Sequence, residues 1–220
     1  MKEFKAAIFD LDGTLLDSMG VWETIDIKFL GKRGIPLPDD YLEMITPMGF
    51  EAAARYTIER FGLREEPQEL VQEWYSMAKD AYANTVTLKP NAREYLKMLK
   101  ENGIRIAAAT SSDPQLFGPA LLNNGILSYF EHIITVHDVT RGKGYPDIYE
   151  AAAERINTKP ADTVVFEDIL KGIKGAKAGG FLTVGVYDRY SEYEKDAMIE
   201  LADYYIHDFG ELMEGEHRIR

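Results

Sequence analysis

Short apolar runs alternate along the chain with segments whose apolar residues recur every three or four positions, and the alternation is clearest in the second half. The runs predict strands over residues 5–10, 104–110, 132–136, 163–167 and 181–186, with a weaker one over 204–207. Most are continuously apolar instead of alternating, the pattern of strands buried on both faces, as in a parallel sheet. Between them lie helical signals. Residues 90–102 open on Pro90 and stop at Gly103, and Asp113 followed by Pro114 repeats the start signal. Ile148, Ala152 and Ile156 share one helical face, and residues 170–178 run into Gly179 and Gly180. Helices of this kind are crossovers between parallel strands, so the predicted fold class is α/β: a Rossmann-like parallel sheet core with helices on both faces.

Residues 17–86 break the alternation. Helical stretches begin near Ser18, Asp39, Phe50 and Pro67, with turns at 34–38 and 62–67 and no strand between them. The segment is expected to be a small all-α cap domain inserted after the first strand, the α/β core being 1–16 and 87–220. Such an insertion starts where the strands' carboxyl ends form the ligand crevice of an open parallel sheet. The polar tail after Glu211 is expected to fray.

Composition narrows the function classes. With 45% hydrophobic and 28% charged residues, the 220-residue chain has the make-up of a soluble globular protein. It has no cysteine, which excludes disulfides, thiolate metal sites and cysteine nucleophiles. The apolar run that follows Lys5 meets Asp10 too soon for a signal-peptide core, and no stretch approaches a membrane span, so the cytoplasm is the expected compartment. A net charge of −12 without a basic stripe argues against nucleic acid, leaving a small molecule as the expected partner of a monomer or weak homo-oligomer.

The candidate chemistry sits at predicted strand ends. Asp10-Leu11-Asp12-Gly13-Thr14 closes the first strand with two carboxylates one residue apart, then a glycine that permits a sharp turn. Thr110 closes the second strand and is followed by Ser111, while Ser112 or Asp113 is expected to cap the next helix. Lys143 lies in the loop Arg141-Gly142-Lys143-Gly144-Tyr145-Pro146-Asp147. Glu167 and Asp168 end an apolar strand, an unfavourable place for two acids unless a cation or donors neutralise them. His132, His137, His207 and His217 show no metal-ligand spacing. Asp17 and Ser18 are expected to cap the first inserted helix and form its hinge.

In this order the motifs resemble those of the haloacid dehalogenase superfamily, in the phosphatase and β-phosphoglucomutase-like branch with a helical cap after the first strand. The resemblance rests on residues 10–18, Thr110, the Gly142-Lys143 to Pro146-Asp147 loop, and Phe166-Glu167-Asp168 followed by Gly172. Gly144-Tyr145 stands where the family often has a proline beside the lysine; Lys171 and Lys174 are the alternatives to Lys143. The resemblance implies a Mg²⁺-dependent phosphatase acting on a small phosphorylated metabolite, with Asp10 as nucleophile and Asp12 as acid and base. It implies metal binding by Asp10, the Asp12 carbonyl and Asp168, with Glu167 bound directly or through water, the first strand lying beside the strand that ends in Glu167. Phosphate would be bound by Thr110, Ser111 and Lys143. Asp12, expected among other acids, would have a raised pKa that suits it to proton transfer.

Two other readings remain. A phosphomutase of the same branch carries a histidine in the first cap helix and an arginine for the distal phosphate. Trp22 stands at the histidine's place, and the nearest arginine after Gly49 is Arg55. The other reading is a catalytically inactive binding or regulatory module on the same fold. Magnesium-dependent turnover separates it from an enzyme.

Overall fold

The computed structural model describes residues 3–45 and 48–213. In chain order the elements are β1 (Ala6–Phe9), β2 (Leu16–Asp17), α1 (Gly20–Lys32), α2 (Tyr41–Ile45), α3 (Phe50–Phe61), α4 (Pro67–Asn84), β3 (Thr87–Leu88) and α5 (Ala92–Glu101). They continue with β4 (Arg105–Thr110), α6 (Pro114–Asn123), β5 (His132–Thr135), α7 (Asp147–Arg155), β6 (Thr163–Glu167), α8 (Leu170–Ala178), β7 (Leu182–Val186), α9 (Lys195–Leu201) and β8 (Tyr204–Ile206). Two compact units result. One holds the chain up to Met19 and from Val86 onward; the other is Gly20–Thr85.

The first unit is built on a six-stranded sheet in the order β5-β4-β1-β6-β7-β8, parallel throughout. Strand β1 is buried over its full length, so successive residues feed opposite layers. Ala6 and Ile8 join Ala107, Ala109, Ile134 and Val165 under α7, whose Ile148, Ala152 and following Ile156 face them. Phe9 points to the other layer and stacks on its register partner Phe166, ring centroids 4.4 Å apart and 9° from parallel. Tyr95 of α5 and Phe209 close that aromatic cluster. This stack lies one residue before the strand ends that carry the candidate acids.

Three local details differ from the sequence reading. Helix α5 starts at Ala92, later than Pro90 suggested, because Asn91 takes a left-handed conformation and its amide donates to Asp208 at 3.0 Å. Helix α1 starts at Gly20, and Ser18 does not cap it: its hydroxyl donates to Asp12 at 2.6 Å, and Asp17 belongs to a strand. That strand, β2, pairs antiparallel with β3 through Leu16–Leu88 and Asp17–Thr87, an element of two residues per strand that leaves no pattern to read. The tail after Glu211 lies largely outside the described residues.

The second unit is helical throughout. Phe29 and Leu30 are buried, Phe29 meeting Trp74 of α4 edge-on at 5.4 Å, and Arg33 lies over the Phe29 ring while pairing with Glu65 and Glu73. Asp26 is buried on the same face of α1, with no hydrogen-bond or ion-pair partner among the described residues. Burial pushes its carboxyl up to about 7. Since the folded state then holds this proton more tightly than the unfolded state, stability falls as pH rises from about 4 towards 7 and levels off above. Asp26→Asn keeps the shape without the charge. It should melt above the parent at pH 8 and no higher than the parent at pH 4, followed by calorimetry; equal melting at pH 8 would show that the charge costs nothing.

Candidate active site

The sheet order reverses between β1 and β6. From β1 the chain fills β4 and β5 on one side, and from β6 it fills β7 and β8 on the other. Because Phe9 and Phe166 are in register and the Asp10 amide donates to the Phe166 carbonyl at 3.0 Å, Asp10 and Glu167 leave the sheet side by side. Parallel strands leave a crevice at such a reversal, outside their carboxyl ends.

Four buried charges meet there. Asp10, Glu167 and Asp168 each present an oxygen within 4.8 Å of the others, the one acidic group with metal-ligand spacing among the described residues. Lys143 ties two of them together: its ammonium donates to Asp10 Oδ1 and lies 2.8 Å from Glu167 Oε1. The Thr14 hydroxyl lies 3.1 Å from Asp168 Oδ1 and 3.3 Å from Asp10 Oδ2, and its single proton serves one of them at a time. Tyr149 of α7 donates to Glu167 Oε1 at 2.7 Å. Glu167 Oε2 is buried and has no hydrogen-bond partner among the described residues.

The chain makes room for this cluster with glycines. Gly13 turns the backbone at φ +83°, and a Cβ there would stand 2.2 Å from Asp168 Oδ2. A Cβ on Gly172 would stand 2.4 Å from the Glu167 carboxyl, and one on Gly175 would stand 2.1 Å from the Lys143 carbonyl oxygen. Helix α8 therefore approaches the acids and the lysine loop at distances that only hydrogen atoms allow.

Burial is the largest single influence on each shift in the cluster. It raises Asp168 well above the usual carboxylate range, with the charges of Asp10 and Glu167 adding to the effect. Glu167 is pushed up to about 7 by burial, against the opposing pull of Lys143. Burial alone would lower Lys143, but Asp10 and Glu167 override it and hold the ammonium charged. The cluster is short of positive charge, and its all-oxygen donor set, orphaned Glu167 Oε2 included, can hold a hard divalent cation.

The other residues singled out by sequence fall as follows. Asp12 is half-buried, and its carboxylate accepts from Ser18. Thr110 is buried at the end of β4, its hydroxyl accepting from the Ser112 amide at 3.0 Å, and Ser111 is exposed beside it. No hydrogen bond among the described residues joins Thr110 or Ser111 to the acids. Asp113 caps α6 by accepting from the Gln115 amide. Lys171 and Lys174 are exposed, and neither replaces Lys143 in the cluster. In the helical unit Trp22 packs against Phe50 at 5.3 Å, and Arg55 pairs with Glu51 at 2.7 Å on an exposed face of α3. No described histidine belongs to the acidic group. Sequence reasoning gave no role to Thr14, Tyr149 or Gly175; Thr14 stood inside the first motif, whereas nothing in the sequence pointed to the other two.

Comparison with known proteins decides the family. A family model described as haloacid dehalogenase-like hydrolase matches residues 4–180. The chain belongs to that family. It is 29% identical over 200 residues to the validoxylamine A 7'-phosphate phosphatase of Streptomyces hygroscopicus subsp. limoneus, covering 90% of this chain and 93% of the relative. It is also 29% identical over 230 residues to the glyceraldehyde 3-phosphate phosphatase of Pyrococcus furiosus, covering 97% and 93%. Among solved structures, a Thermotoga maritima protein provisionally named a β-phosphoglucomutase superposes with a TM-score of 0.83 at 25% identity, covering 92% of this chain and 94% of that one. This haloacid dehalogenase-like hydrolase thus shares its fold with that protein and is similar in sequence to the two phosphatases. Among the described residues no helix is long and apolar enough to cross a membrane.

The two helical glycines give a direct test of the cradle. In an ordinary helix Gly→Ala stabilises by about 1 kcal/mol. Here Gly172→Ala meets the end of a side chain and Gly175→Ala meets a backbone carbonyl, which cannot swing aside. Denaturant unfolding should show losses of about 1–2 kcal/mol for Gly172→Ala and about 3 kcal/mol or more for Gly175→Ala. A gain at either position would contradict the close approach.

Proposed function

We propose that the protein is a magnesium-dependent phosphatase that hydrolyses small phosphate monoesters through an aspartyl-phosphate on Asp10. The observation that carries the reading is the Lys143 ammonium shared by Asp10 and Glu167, beside Asp168 and at the sheet's reversal point. A carboxylate attacking a phosphate dianion must overcome like charge, and the attacking group here already has a fixed ammonium on one of its oxygens.

The residues divide the work as follows. Asp10 attacks phosphorus in line, an Asp10–phosphorus bond forms, and the bond to the ester oxygen breaks. Asp12 gives its proton to the departing alkoxide; as a carboxylate it then takes a proton from water, which attacks phosphorus and releases Asp10. Ser18, donating to Asp12 Oδ1 at 2.6 Å, orients that carboxyl. Lys143, the Thr110 hydroxyl and the Ser111 amide bind the non-bridging oxygens. Asp10, the Asp12 carbonyl, Glu167 and Asp168 would hold Mg²⁺, which when bound supplies further neutralisation of the phosphoryl oxygens. The insertion expected at residues 17–86, whose helical unit is Gly20–Thr85, is assigned the role of a cap on its point of insertion.

The names of the relatives favour phosphorylated carbohydrates and related small phosphates as substrates. Hydrolysis is preferred to mutase chemistry because Trp22 replaces the mutase histidine and Arg55 is engaged by Glu51 on an exposed helix face. Incubation with β-glucose 1-phosphate and a bisphosphate primer should yield no glucose 6-phosphate; efficient formation of it would reverse this preference.

Roles within the pair of acids are separable. With p-nitrophenyl phosphate, whose leaving group needs no acid, Asp12→Asn should release a burst of nitrophenolate and accumulate phosphate on Asp10, because only the hydrolytic step lacks its base. Asp10→Asn should do neither, and chelator should silence the parent. Rapid mixing and mass spectrometry read the outcome: no burst, or phosphate on another residue, overturns the assignment.

A further inference from the structure

Tyr149 holds a hydroxyl in the core that packing does not require. Its ring is wholly buried in the layer beneath β1 and β4 and meets Phe181 edge-on at 6.2 Å, contacts a phenylalanine would make equally well. Burying a hydroxyl costs free energy unless it is bonded, and the bond it makes is to the active-site cluster, 2.7 Å from Glu167 Oε1. The same oxygen lies 2.8 Å from the Lys143 ammonium. The other oxygen, Oε2, has no hydrogen-bond partner among the described residues and lies against α8 where Gly172 leaves room.

From this the structure assigns Tyr149 a positioning role: its hydroxyl fixes the Glu167 carboxylate, and through it the direction in which Lys143 faces Asp10. The assignment rests on the phosphatase reading and goes beyond it, since that reading gives α7 no part in the site. A lysine on a four-carbon stem has many rotamers, and one carboxylate contact would leave it free to pivot. Glu167 can direct it only if Glu167 is itself fixed. With Oε2 unbonded, the donors that fix it are Lys143, the group being positioned, and Tyr149, a group on a rigid helix. Tyr149 is the independent anchor. It also opens the helix that follows the lysine loop, so loop, helix and carboxylate form a closed path: Lys143 to Glu167 by ion pair, Glu167 to Tyr149 by hydrogen bond, and Tyr149 back to Lys143 along the backbone. The Arg141–Asp147 fork, with bonds of 2.9 and 2.7 Å, braces the same loop from its outer side.

The test is Tyr149→Phe in the full chain, alone and combined with Glu167→Gln. Since Lys143 is asked to neutralise charge that develops during phosphoryl transfer, kcat for p-nitrophenyl phosphate should fall five- to twentyfold with KM changed less than twofold. Magnesium affinity, titrated by calorimetry without substrate, should weaken at least threefold because the Glu167 carboxylate is less firmly placed. The melting temperature should stay within a few degrees of the parent. In the Glu167→Gln background, adding Tyr149→Phe should cost no more than a further twofold in kcat, since the residue acts through that carboxylate. Unchanged kcat and magnesium affinity in folded Tyr149→Phe, or full additivity with Glu167→Gln, would overturn the assignment. So would a variant that fails to fold, which would make the hydroxyl a structural bond alone. A parent protein that binds magnesium but turns over no phosphate ester would instead refute the phosphatase reading, leaving the calorimetric comparison to decide the role of Tyr149.

Discussion

Three buried acids packed around one buried lysine are the arrangement on which the rest of this structure depends. Asp10, Glu167 and Asp168 lie close enough to share one ion, and Lys143 alone among the described residues brings a full positive charge into their midst. Left in an apolar interior, such a cluster would blow apart or take up protons. Hydroxyls from Thr14 and Tyr149 offset part of the charge, and the bare backbones of Gly13, Gly172 and Gly175 let donors and acids come as near as they do. Charge sets the requirement and packing meets it.

A cluster under that repulsion needs a stiff base. The parallel sheet supplies it: β1 is paired with β6 along its whole length, and the Phe9–Phe166 stack locks their register one residue before the acids emerge. A slip of one residue in β1 would turn Asp10 into the core and Phe9 into the crevice. Nearby, Lys89 just after β3 bonds Asp188 just after β7 at 2.5 Å, with both side chains largely buried. That ion pair ties the segment carrying the β2–β3 ladder to the carboxyl end of the sheet. Helix α7 serves both purposes, packing Ile148 and Ala152 under the sheet while lending Tyr149 to the acids.

Most of the sheet was legible in the sequence because parallel strands buried on both faces write themselves as unbroken apolar runs. The predicted strand at residues 163–167 coincides with β6, and those at 104–110 and 132–136 miss β4 and β5 by a single residue at one end. The acids were legible for a related reason, since a charged pair at the end of an apolar run is costly and demands an explanation. Tyr149 was illegible because an aromatic residue on a buried helix face looks the same whether its hydroxyl is bonded or not. Gly175 was hidden among ordinary helix residues, its importance lying in a carbonyl more than thirty residues earlier in the chain. The β2–β3 ladder escaped because its strands of two residues fall below the length at which periodicity exists and lie on either side of the inserted helices, and the Ser18–Asp12 bond because it joins single side chains across a turn.

On the proposed reading, the same imbalance that strains the site would admit a charged substrate only in company with a cation. Asp10, Glu167 and Asp168, when ionised, exceed Lys143 by two negative charges, and a phosphate ester dianion would bring two more into the same small volume. Protons are one remedy, and the upward shifts of Glu167 and Asp168 show how strongly burial and mutual repulsion favour it. A proton on either acid removes an oxygen lone pair from the ligand set and supplies no charge to the phosphoryl group. A divalent cation removes the same excess while leaving every carboxylate oxygen able to bind, and it competes with those protons for the same sites. On that reading the cluster would be less stable empty than filled, a cost to the fold that would become affinity when a cation arrives.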